Sequence, residues 1–144
     1  MKRRTILCAL AAFTSLAGCA TLDELAGDSI LEPGPVYPQE LGQSGMLDIQ
    51  AFRSETSLLL TNTTSESFPG GGRIWVNAQF SFPFGSFDIG QTMDVDLRNF
   101  VNEFGERFRA GGFFATERPD RVVLVQLEHG ERIDGIVVVE DEAR

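Results

Sequence analysis

The sequence predicts an all-β domain, a small sandwich of about seven short strands with one short helical turn. Three features predict it. Ile74, Val76, Ala78 and Phe80 alternate with Trp75, Asn77, Gln79 and Ser81, the period-two pattern of a half-buried strand. A β-branched run at 122–127 is followed by the turn-rich "EHGERIDG" and a second apolar stretch at 136–139, which reads as a hairpin over 121–140. Between the apolar segments stand clusters of Gly, Pro, Asn and Ser, the residues that turns require.

Ahead of that domain, Lys2, Arg3 and Arg4 form a basic start, and residues 5–16 are almost all apolar or small, too short for a permanent membrane helix. Residues 1–18 therefore read as an export signal. Leu16-Ala17-Gly18-Cys19 resembles the lipobox of bacterial lipoproteins. The resemblance covers the first twenty or so residues. It implies cleavage between Gly18 and Cys19, a diacylglyceryl group on the Cys19 thiol and acylation of the new amino terminus. Each buried methylene contributes about 0.8 kcal/mol, so two or three chains hold stably where one holds marginally. Ala20 stands where an aspartate would argue for inner-membrane retention. By that analogy the outer membrane is expected, with the domain facing the periplasm or outward.

Residues 19–45 read as the lipidated cysteine and a flexible tether, with Pro33, Pro35 and Pro38 among Gly27, Gly34, Gly42 and Gly45 and at most a short helix around 21–26. Such a coil places the domain roughly 25–30 Å from the bilayer. "PGPVYP" at 33–38 reads first as a spacer; the alternative is a polyproline segment that docks an aromatic groove.

The domain itself is expected over 46–144. Residues 46–52 alternate, with Leu47, Ile49 and Ala51 on the more apolar side. Leu58, Leu59 and Leu60 lie between Thr, Ser and Asn clusters as a short buried strand would. Residues 68–73 form a turn, and Phe82-Pro83-Phe84-Gly85 is expected to break the strand that 74–81 begins. In 87–97, Gly90 marks a turn, Met93, Val95 and Leu97 face inward, and Asp94 and Asp96 face water. Leu97, Phe100, Val101 and Phe104 have helical spacing ahead of Gly105, which predicts one or two helical turns in 98–108.

Short strands, polar turns and no disulfide suit a small immunoglobulin-like sandwich. "LLLTNTTSESF" at 58–68 and "GQTMDVDLRNF" at 90–100 are similar to Ig-like domains of bacterial surface proteins. "RAGGFFATERPDRVVLVQL" at 109–127 is similar to segments of small lipoproteins from which no activity carries over. The immunoglobulin cysteine pair is absent, and Trp75 is expected as the buried tryptophan of a central strand.

Charge narrows the partners. Removal of 1–18 leaves 144 − 18 = 126 residues with nine arginines against 21 acids, a net charge of 9 − 21 = −12. Nucleic-acid binding is disfavoured, and membrane attachment falls to the lipid on Cys19 rather than to a basic patch. Cys8 leaves with the signal, so the folded part carries no thiol chemistry. His129, the single histidine, reads as a solvated turn residue of "EHGER" with no orienting partner, so no catalytic residue is assigned and no enzyme is expected. One histidine cannot hold zinc or copper. Asp94 with Asp96, or Glu140, Asp141 and Glu142, are oxygen ligands without a calcium loop and read as solvated acids. "GGGR" at 70–73 lacks the lysine and helix of a phosphate loop, so no cofactor is expected. Asn62-Thr63-Thr64 matches a glycosylation acceptor that is silent in most bacteria.

Aromatic residues supply the positive hint. Phe80, Phe82, Phe84, Phe87, Phe113 and Phe114 exceed what one small sandwich needs, and Phe82, Phe84, Phe113 and Phe114 are the candidate partner surface. The bland alternative makes Phe82 and Phe84 core plugs. The expected function is a non-catalytic interaction or structural module that meets an envelope protein, peptidoglycan or another copy. The alternative is a small-ligand carrier or hydrolase-like accessory enzyme, marked by a deep pocket that gathers Glu103, Glu106, Arg107 and Arg109.

Overall fold

Among the residues that the computed structural model describes, 32–70 and 72–139, every strand belongs to one hydrogen-bonded sheet. The elements are β1 (Gln43–Ser54), β2 (Ser57–Asn62), β3 (Gly72–Val76), β4 (Phe80–Phe84), β5 (Thr92–Asp96), β6 (Val125–His129) and β7 (Arg132–Val139). Two 3₁₀ turns, Gln39–Leu41 and Leu97–Asn99, complete them. The strand order is β4-β3-β6-β7-β1-β2-β5, antiparallel throughout except for the parallel pair β1 and β7. The fold is all-β, as the alternation predicts, but the strands expected in two sheets form one continuous mixed sheet.

The length of β1 explains that continuity. Its 12 residues reach both halves, pairing with β7 from Gln43 to Phe52 and with β2 from Ile49 to Ser54. The sheet then curls, because the segment after β5 returns to the opposite edge. Ser81 of β4 and Val101 exchange backbone hydrogen bonds of 3.0 and 3.1 Å, and Phe68 pairs with Phe87 in the same way. The enclosed face carries Ile49, Ala51, Leu58, Leu60, Ile74, Val76, Val125 and Leu127, all fully buried. Phe84, Phe87, Phe100 and Phe108 fill the space between the edges. Burying each such side chain stabilises the fold by about 1.5–3 kcal/mol.

Three local expectations change. The alternating run at 74–81 is a hairpin rather than one strand, because Asn77 and Ala78 turn the chain at φ of 55° and 54°. Asparagine tolerates the left-handed region, and here its side chain donates to the Arg121 carbonyl at 2.7 Å and accepts from the Val123 amide at 3.0 Å. Phe82-Pro83-Phe84 does not break a strand. It lies within β4, an edge strand, where proline is tolerated. The helical spacing at 98–108 yields only the turn Leu97–Asn99, capped by Asp96 through the Arg98 amide at 2.9 Å. Phe100 then leaves it in extended backbone, and Phe100 and Phe108 enter the core from a looped segment closed by a 3.0 Å bond from the Phe108 amide to the Phe100 carbonyl.

The packed fold begins before residue 46. Tyr37 places its ring edge-on to Trp75 at 5.2 Å, and its hydroxyl donates to Gln126 Oε1 at 2.9 Å. Gln126 Nε2 in turn donates to Gln43 Oε1 at 3.1 Å. Trp75, whose Nε1 donates to Glu128 Oε2 at 2.6 Å, is thus covered on the face of the sheet opposite the core. The Gly34 amide reaches the Asn102 carbonyl at 2.8 Å, an approach so close that a Cβ at Gly34 would stand 2.9 Å from the Val101 oxygen.

Candidate functional site: an exposed aromatic loop and a charged groove

The connection from β5 to β6 carries the most chemistry on the surface. Two elements pin the base of its outermost loop. The Arg109 guanidinium donates to Asp120 Oδ1 at 2.7 and 3.1 Å, while the Asp120 amide donates to the Arg109 carbonyl at 2.8 Å. From β1, Arg53 donates to the Ala110 carbonyl at 2.8 Å and to the Asp120 carbonyl, with its guanidinium 5.9 Å from the Phe108 ring centre. Burial lowers the pKa of Arg53, and the nearby Asp120 charge opposes that shift. Hydrogen bonds from Arg109 hold the Asp120 carboxyl below the ordinary aspartate range, outweighing the effect of burial.

Above this base, Gly111 and Gly112 adopt φ of 88° and 124°, which turns the chain outward. Phe113 and Phe114 follow at 95% and 90% exposure, stacked edge to face at 5.0 Å. The four phenylalanines of the candidate surface are therefore divided. Phe84 is buried, Phe82 is half-buried against Phe100 at 5.5 Å, and Phe113 and Phe114 project together. Phe104, at 69% exposure on the neighbouring turn, belongs beside them in character and was hidden in the sequence by its helical spacing.

A groove of about 560 Å³ lies beside the loop base, lined on one side by Asn77, Gln79 and Phe80 of the hairpin from β3 to β4. Glu106, Arg107, Arg109, Glu117, Asp120 and Arg121 line it from the connection between β5 and β6. Glu103, expected with them, is not in the lining. Within the groove Arg109 pairs with Asp120 at 2.7 Å and reaches Glu117 at 3.4 Å, while Glu106 accepts from the neutral Asn102 Nδ2 at 2.7 Å. The groove is suited to charge recognition; it supplies no nucleophile next to a base.

His129 requires a correction. It ends β6 with Nε2 3.1 Å from Oδ2 of the buried Asp134, which Arg132 also meets at 3.3 Å, and its ring lies edge-on to Phe68 at 5.0 Å. The partner was missed because it sits on the opposite arm of a hairpin. A cavity of about 190 Å³ beside it includes Ser67, whose hydroxyl accepts from the Ile89 amide at 3.3 Å rather than bonding the imidazole.

Gly18 and Cys19 lie outside the described residues, as do Glu140, Asp141 and Glu142. Asp94 is exposed, and Asp96 pairs with Arg98, whose hydrogen bonds hold its carboxyl below the ordinary range. Among the described residues no three His, Cys, Asp or Glu side chains gather as a metal set, and no helix is long and apolar enough to cross a membrane. No protein-family model, curated protein or solved structure matches the chain.

Proposed function

We propose that this chain is a lipid-anchored bacterial envelope protein, held at Cys19, whose domain works as a non-catalytic interaction module. The observation that carries the interaction role is the pair Phe113 and Phe114, exposed at 95% and 90% on a loop whose base is pinned by Arg53, Arg109 and Asp120. Two aromatic rings left in water on an ordered base contribute almost no burial to the fold, and a contact surface accounts for their placement. The lipobox supplies the anchor. Envelope fractionation tests the reading: the native chain is expected in the membrane fraction and a Cys19→Ala chain in the soluble fraction, whereas equal distribution of the two contradicts it.

The immunoglobulin-like reading of the fold draws support from the pairing order. Lettering β1, β2 and β5 as A, B and E, and β3, β4, β6 and β7 as C, C′, F and G, reproduces the neighbours A-B-E and G-F-C-C′ of that architecture, with A bridging the halves. The second reading, a small-ligand carrier, rests on the groove of about 560 Å³. Thermal shifts on adding small charged metabolites, lost in Arg107→Ala, favour it; the absence of any shift leaves the interaction module.

A further inference from the structure

We infer that the Phe113–Phe114 loop dips into the headgroup boundary of the phospholipid bilayer that holds Cys19, an inference that rests on the anchor proposed above and names what the loop meets. The attachment geometry comes first. Fourteen residues, 20–33, separate Cys19 from Gly34, a length that spans at most about 50 Å. Gly34 is fixed to Asn102, and Asn102 is bonded to Glu106, which lines the same groove as Arg109 and Asp120 at the base of the Phe113–Phe114 loop. The anchored chain therefore enters the fold next to the groove that the loop base also lines, and that end of the domain is the one placed toward the membrane.

Charge favours the same orientation. Residues 19–144 carry 9 − 21 = −12, yet residues 103–121 carry four arginines against four acids, 4 − 4 = 0. The acids there are mostly engaged, Glu106 by Asn102 and Glu117 and Asp120 by Arg109, while Arg107 and Arg118 are exposed and make no ion pair among the described residues. An anionic lipid surface repels the acidic remainder of the domain and meets this end without that repulsion. Exposed aromatic rings with arginines behind them match the interfacial pattern, in which rings enter roughly 5–10 Å and cations stay with the phosphates.

The test uses the mature lipidated chain in vesicles of phosphatidylethanolamine and phosphatidylglycerol with brominated acyl chains. Phe114→Trp adds an emission to that of Trp75, which is buried and reports an intact fold. The expected result is co-flotation with the vesicles and a fall of about twofold or more in the added emission against unbrominated lipid, relieved when Phe113→Ser is added. Flotation with unquenched emission overturns the insertion and leaves the loop facing protein or water. A chain that does not float overturns the anchor itself, and with it the inference.

Discussion

His129 Nε2 lies 3.1 Å from Asp134 Oδ2 across the final hairpin, and the carboxylate is almost fully buried. Arg132, largely exposed, is the other charged group in contact with it. His129→Ala is therefore expected to cost about 1–3 kcal/mol by leaving the carboxylate with a single solvated partner. The double variant His129→Ala/Asp134→Ala should lose clearly less than the sum of the single losses, as two groups in contact do. Chemical denaturation of the four proteins checks this, and strict additivity contradicts it.

Tyr37 covers Trp75, so the segment ahead of the sheet is part of the fold. Tyr37→Ala is expected to cost about 1–3 kcal/mol and to shift Trp75 emission to the red, while Tyr37→Phe keeps the ring contact and loses only the bond to Gln126. Unchanged emission in Tyr37→Ala would show that residues 34–41 do not pack as described.

Acid should loosen the base of the aromatic loop. Asp120 titrates below its ordinary value of about 3.9 in the folded chain, so its contribution is present above that value and is lost as pH falls through the folded pKa. The protection of the Asp120 amide, its exchange rate taken relative to that of an unstructured amide at the same pH, should therefore fall below about pH 4 in the native chain. In Asp120→Asn that protection should be low at every pH. A native profile that is flat across this range would count against the pairing with Arg109.

Asn77 tests the turn between β3 and β4. Asn77→Ala removes the bonds to 121–124 and places a side chain without local hydrogen bonding at φ of 55°, for an expected loss of about 2–4 kcal/mol. Asn77→Gly loses the same bonds without the backbone cost and should lose about 1 kcal/mol less. Reversed order in thermal unfolding would contradict the left-handed assignment.

Much of the fold was legible because burial follows period two. Ile49 and Ala51, Leu58 and Leu60, and Val95 are buried as alternation or a short apolar run predicts, and "EHGER" does turn a hairpin. The turn at Asn77 and Ala78 was illegible because Phe80 returns to the core side and preserves the apparent alternation across the break. Parallel pairing of β1 with β7 joins residues some ninety positions apart, which no local pattern records. The loop pair Phe113–Phe114 was visible through its glycines. The clamp from Arg53 and the partner of His129 were not, since both depend on which strands become neighbours.

The most direct measurement is the intact mass of the protein extracted from membranes, beside that of a Cys19→Ala chain. A mature chain that begins at Cys19 and carries the added mass of a diacylglyceryl group and a further acyl chain, both lost on substitution, is the expected result. An unmodified chain, or one cut at another bond, would contradict the anchor and with it the membrane-facing role assigned to the aromatic loop.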